Sequence, residues 1–162
     1  MSNENKDKIH QELNKAINFL GQNKFTEAET ICNDIINDHH NSDAYHILSS
    51  IRLYNQDFDE SIKLVNESIK LNNKNPGYYV TLGCAYSASK EYTKSIEAFN
   101  SAINLNNKIA QVHFYLGESY RKLKKYNDAI SSFYKTIELS PEHVAAYLLL
   151  GIVYQEIKQF DL

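Results

Sequence analysis

A leucine followed by glycine returns every 34 residues along this chain, at Leu82-Gly83, Leu116-Gly117 and Leu150-Gly151, and one step back lands on Leu48-Ser49. The flanks keep the same interval. Tyr79-x-x-Leu82-Gly83-x-x-Tyr86 returns as His113-x-x-Leu116-Gly117-x-x-Tyr120 and as Tyr147-x-x-Leu150-Gly151-x-x-Tyr154. A second register runs in step: Ile69-Lys70-Leu71-Asn72-Asn73 aligns with Ile103-Asn104-Leu105-Asn106-Asn107 and Ile137-Glu138-Leu139-Ser140-Pro141. Two concordant registers at one period mark stacked supersecondary units, because a unit this small cannot bury its apolar face alone.

Within each unit the apolar residues recur at helical spacing, as in Ile62, Val65, Ile69 and in Ile96, Phe99, Ile103. No stretch alternates with period two, so a strand reading fails. The pattern predicts helices near 9–22, 25–38, 42–55, 59–71, 76–89, 93–105, 110–123, 127–139 and 144–157, which is four pairs and one unpaired helix. Short Asn-, Asp- and Lys-rich segments connect them. Thr26-x-x-Glu29 reads as a capping box opening the second helix. Gly83, Gly117 and Gly151 fall mid-helix, where glycine costs about 1 kcal/mol relative to alanine. Close approach of a neighbouring helix, with Ser95 or Ala129 facing the glycine, is the expected compensation.

These motifs resemble the tetratricopeptide repeat family, whose unit reads W-x-x-L-G-x-x-Y, then A-x-x-x-F, then P, in 34 residues. Tyrosine stands in for tryptophan here, and the closing proline occurs only at Pro141. Ala28, Ser61, Ser95 and Ala129 fill the small position of the second motif, with Cys32, Val65, Phe99 and Phe133 four residues later. The likeness spans roughly residues 9–160. It implies an all-α, right-handed solenoid of helix-turn-helix repeats as a single domain over 1–162. The repeats would cover 9–41, 42–75, 76–109 and 110–143, with a partial unit at 144–162.

The resemblance also implies a protein–protein interaction module, an adaptor or scaffold that holds a peptide or helix in a concave groove lined by the first helix of each unit. The positions implied for the inner face are Leu13, Ile17, His46, Ile47, Ser50, Val80, Thr81, Cys84, Phe114, Tyr115, Glu118, Arg121, Leu148 and Ile152. Among them Ile47, Val80, Thr81, Cys84, Phe114, Tyr115, Glu118 and Arg121 form the candidate partner groove. Phe114 and Tyr115 are the expected anchors, and Glu118 and Arg121 set polarity at the edge. Chaperone-tail binders of the family grip a carboxylate with Lys and Asn, but the matching positions are Leu13, Ile17 and Ile47. The asparagine ladder of the sugar-transferase arrays is replaced by Ile47, Thr81, Tyr115 and Leu149. The alternative function is the substrate-docking front of a larger transferase whose catalytic domain lies beyond Leu162.

Charge and composition narrow the other classes. Twenty acidic residues against 17 Lys and Arg give a net charge of −3, which argues against nucleic acid or an anionic membrane as partner. The polar start MSNENKDKIH lacks the apolar core of a signal peptide, and no apolar run reaches membrane-span length. With Cys32 and Cys84 as the only cysteines, a reducing cytoplasmic location is expected. The scattered histidines, including His39-His40, carry no zinc-ligand spacing, and every glycine is single, so neither a metal, a cofactor nor catalysis is expected.

The last helix stands apart. Ala145, Ala146, Tyr147, Leu148, Leu149, Leu150, Ile152, Val153 and Tyr154 leave it almost no polar face, although solenoids usually end on a polar surface. The pattern breaks off at Phe160-Asp161-Leu162, as a piece of a longer protein would. Alternatively the bare face serves a symmetric dimer or an exchanged helix. Self-association through Leu148, Leu149, Ile152 and Val153, giving a homo-oligomer, is the expectation.

Overall fold

The computed structural model describes residues 3–160. Among them the chain forms helices alone: α1 (Asn3–Gly21), α2 (Phe25–Asp38), α3 (Ser42–Tyr54), α4 (Phe58–Leu71), α5 (Pro76–Ala88), α6 (Tyr92–Leu105), α7 (Ala110–Lys122), α8 (Tyr126–Leu139) and α9 (Val144–Phe160). Most boundaries fall within a residue or so of those the periodicity predicts. α1 begins six residues early, and α9, with 17 residues, outruns the 13 of α3, α5 and α7.

The dispersed asparagines have a local cause. Asn41 accepts from the backbone N–H of Asp43 and Ala44 at 2.9 and 3.0 Å, and Asn75 accepts from Gly77 at 2.9 Å. Both cap a first helix, and Pro76 then supplies a pre-set φ at the first turn of α5. The capping box expected at Thr26 does not form. α2 already starts at Phe25, and Thr26 lies inside the helix, where its carbonyl accepts from the Thr30 hydroxyl.

One turn joins the two helices of every pair. Asn23, Gln56, Lys90 and Lys124 all adopt φ between 57° and 65°. At each, two backbone bonds close the preceding helix; Lys124 N–H donates to Arg121 O and Lys125 N–H to Tyr120 O, both at 2.9 Å. This is the Schellman ending, built without glycine.

Consecutive helices pack as antiparallel hairpins, and hairpin stacks on hairpin. The odd helices α1, α3, α5, α7 and α9 also touch the next odd helix, whereas among the described residues no two even helices touch. Such asymmetry curves the stack, with the odd helices on the tight, concave side. The core is correspondingly a chain of clusters strung along the array.

Glycine's mid-helix role differs from the expectation. A Cβ at Gly83 would lie 2.5 Å from the Phe99 ring, and one at Gly117 would lie 2.7 Å from Phe133. The glycines make room for buried rings of the following helix, and at the equivalent position of the second repeat, which is Ser49, the small side chain of the following helix does face it. Ser61 and Ser49 hydrogen-bond reciprocally to each other's carbonyls, at 2.9 and 3.0 Å, and Ser95 meets Ser119 at 3.0 Å.

Candidate functional site

The repeat places equivalent side chains on the concave face at 34-residue steps, so each slot can be compared along the groove. Ser50, Cys84, Glu118 and Ile152 share one slot and are all half-buried, with Ile17 at the same place in α1 and 51% exposed. Val80, Thr81 and Tyr115 are half-buried beside them. All of them lie on odd helices, on the concave side of the stack.

Ile47 and Phe114 depart from that expectation. Ile47 is 5% exposed inside the cluster formed by α1, α2 and α3. Phe114 is 8% exposed, closed in by Phe133 at 5.9 Å and His143 at 4.6 Å between ring centroids. Both are core side chains, so Phe114 supports the groove floor and Tyr115 is the half-buried aromatic of the two. Tyr115 is itself held by stacking on Phe99 at 5.8 Å and by Phe114 at 5.9 Å.

The polar groups of the groove are tied across helices. His46, on α3, hydrogen-bonds through Nε2 to the Thr81 hydroxyl of α5 at 2.8 Å, and packs against Tyr78 with the rings tilted and their centroids 4.9 Å apart. Burial holds the His46 imidazole below its ordinary pKa, with Asp43 pulling weakly the other way, so the neutral ring is favoured. Tyr78 is fully buried, and its hydroxyl donates to Asp43 and lies 3.1 Å from the Ser42 hydroxyl. Arg121 donates to Glu156 of α9 at 2.8 Å, which closes the groove's far edge. These links pair residues about 35 apart, a separation at which sequence pattern gives no side-chain direction.

Glu118 lies between Cys84 and Arg121 along the groove. Burial raises its carboxyl above the usual carboxylate range, and the charges of Arg121 and Lys122 only partly offset that. The same burial pushes the Cys84 thiol up to about 12, helped by the Glu118 charge, so this cysteine is an inert apolar lining group near neutral pH. Where the groove opens over α1 and α3 there is a cavity of about 260 Å³ bounded by Leu13, Ile17, His46 and Ser50. Among the described residues no cluster of His, Cys, Asp or Glu could hold a metal ion, and no helix is long and apolar enough to cross a membrane.

The end of the array is divided between core and surface. Val153 is fully buried, and Leu149 packs against the cluster of α7, α8 and α9. These two of the four expected self-association residues therefore face inward. Ile152 is half-buried and Leu148 is 63% exposed. The open stripe of α9 instead runs through Val144, Tyr147, Leu148, Gly151 and Tyr154.

Models of the tetratricopeptide repeat match residues 42–75, 76–109 and 110–143. These cover more than half of the chain, which belongs to the tetratricopeptide repeat family and has that family's protein-interaction scaffold. Its fold is similar to a crystal structure of MamA, with a TM-score of 0.81 at 22% identity, over 90% of this chain and 86% of that one. It is similar also to Cut9 in the hetero-tetramer Cut9-Hcn1 of APC/C, with a TM-score of 0.82 at 19% identity, over 88% of this chain but 29% of that one. A third likeness is to the first repeat domain of Spaghetti (RPAP3) bound to the HSP90 peptide SRMEEVD, with a TM-score of 0.71 at 19% identity, over 72% and 93%. No curated protein matches the chain.

Proposed function

We propose that this chain is an adaptor or scaffold that binds an extended peptide or short helix in its concave groove, with Tyr115 as the aromatic anchor. The observation that carries the reading is the strip of half-buried groups Val80, Thr81, Cys84 and Tyr115 on the tight side of the stack, of which Val80, Cys84 and Tyr115 pack against one apolar cluster. A surface of that kind gains from covering the apolar side of a ligand. The RPAP3 domain bound to a peptide supports peptide binding as a use of this fold.

Glu118 sets the ligand's polarity. A half-buried carboxylate with incomplete compensation is stabilised by a lysine or arginine brought in by the ligand. The apolar side chains at Leu13, Ile17 and Ile47 offer nothing to a free carboxylate. The ligand is therefore an apolar segment with a basic residue, not an acidic tail.

Selection of random peptides on the wild-type chain tests this, followed by affinity measurements on Tyr115→Leu and Glu118→Lys. Enriched sequences should pair apolar residues with Lys or Arg. Each variant should weaken binding about tenfold or more, roughly 1.4 kcal/mol or above, with its thermal midpoint kept. Peptides enriched in acidic termini, or binding the two variants undiminished, would refute the reading.

A further inference from the structure

The cavity where the groove opens over α1 and α3 holds about 260 Å³, below the roughly 300–1,000 Å³ of sites that take a whole small molecule. It suits one long side chain. Its walls are apolar: Leu13 and Ile47 are buried, and Ile17 leaves 51% of its surface to solvent. Covering that surface favours methylene groups.

The polar end of the cavity is anionic. Asp43 stands exposed there, with its backbone N–H held by Asn41 and its Oδ1 accepting from the buried Tyr78 hydroxyl. A carboxylate accepts at about four lone-pair sites, so this one bond orients Asp43 without exhausting it. Beside it the Ser50 hydroxyl donates to the His46 carbonyl at 3.0 Å, which leaves the Ser50 oxygen as an acceptor. Among the described residues no lysine or arginine lines this space. The cations of the neighbouring helices are turned elsewhere. Lys15 pairs with Glu12 within α1, Lys8 lines the space between α1 and α2, and Arg52 of α3 pairs with Glu29 of α2.

We propose that this cavity is a subsite for a lysine or arginine side chain of a peptide ligand, with its methylenes against Leu13, Ile17 and Ile47 and its cationic head at Asp43. Long cationic side chains divide themselves in this way, stem on apolar surface and head on water or a carboxylate. A wholly apolar side chain would cover the carboxylate and leave it unpaired. An acidic one would meet a like charge. The site rests on the groove reading for the ligand's being a peptide, but the preference for a cation belongs to the cavity itself.

The probe is n-butylguanidinium, titrated into the full methyl-labelled chain at low salt and a pH of about 8, above the range in which an ordinary imidazole is charged. The methyl signals of Leu13, Ile17 and Ile47 should shift saturably, with a Kd of about 10 mM or tighter. The neutral isostere n-butylurea should bind at least about threefold more weakly, the size of an exposed ion pair, and valerate should not saturate. Asp43→Asn keeps an acceptor for the Tyr78 hydroxyl and should bring the cation and the urea to equal affinity. Ile17→Ser, at an exposed wall, should weaken both ligands alike and leave their ratio unchanged. No saturable shift up to about 50 mM, valerate binding as well as the cation, or a cation preference that survives Asp43→Asn would each overturn the proposal. These readouts lie on α1 and α3. Cation binding there alongside failed peptide selection would therefore support the subsite and count against the groove reading alone.

Discussion

The same substitution at two equivalent glycines should move stability in opposite directions. At Gly83 an added methyl would meet three carbons of Phe99 at 2.5, 2.6 and 2.9 Å. Phe99 is fully buried, so its ring cannot swing into solvent. Overpacking of this kind costs about 1–3 kcal/mol, and three contacts on a rigid ring place it toward the upper end. Alanine returns about 1 kcal/mol through helix propensity. Gly83→Ala is therefore expected to destabilise by about 1–2 kcal/mol. At Gly151 the repulsive part vanishes, because nothing lies within 4 Å, and Gly151→Ala should stabilise by about 0.5–1 kcal/mol. Urea unfolding followed by circular dichroism, with equal m-values required, measures both; per kcal/mol the thermal midpoint should move about 2–4 °C. The double variant Gly83→Ala, Phe99→Leu should recover part of the loss. If Gly83→Ala stabilises the chain as much as Gly151→Ala does, the close-packing account of the Leu-Gly repeat is refuted.

Other consequences are equally direct. Lys90 and Lys124 hold φ of 65° and 57°, so Lys90→Gly or Lys124→Gly should each stabilise by up to about 1 kcal/mol, whereas valine at either place should destabilise; urea midpoints decide. Arg121→Ala should loosen the last helix by about 0.5–1 kcal/mol, seen as faster amide exchange in α9 with little change in α3 to α5. Burial raises the thiols of Cys32 and Cys84 to about 12, above the value near 9 of an open thiol. Their contribution to stability is therefore full below pH about 9 and lost as pH rises toward about 12, and both should react slowly with a disulfide reagent at neutral pH in the folded state. Fast neutral labelling of Cys84 would contradict its burial.

Much of the fold was legible because it rests on short-range and periodic causes. Leu82-Gly83, Leu116-Gly117 and Leu150-Gly151 set the period, and apolar spacing within a unit set the helices. Asparagine and proline at the connections act on their own backbone neighbours, which a sequence displays. Where local signals competed, sequence alone misjudged them. Thr26 had the residues of a capping box, but the Schellman turn at Asn23 fixes where α2 begins, one residue before Thr26.

The groove was legible only as a list of positions. A residue's slot in the repeat does not say how deeply neighbouring rings enclose it, and so Phe114 and Tyr115, adjacent in sequence, part company. Phe114 is shut in by Phe133 and His143, while Tyr115 remains at the surface. At the end of the array, Leu149 and Val153 looked as bare as Leu148 until the direction of each side chain was known.

The amino-acid sequence by itself determined that this chain is an array of paired helices at a 34-residue period, because periodicity and backbone preference are properties of neighbouring residues. Tertiary structure decided which ring fills which glycine seat, how His46 and Arg121 bridge helices, and which stripe of α9 stays open. Those outcomes depend on contacts between residues sixteen to about 35 positions apart, whose side-chain directions exist only once the helices have packed.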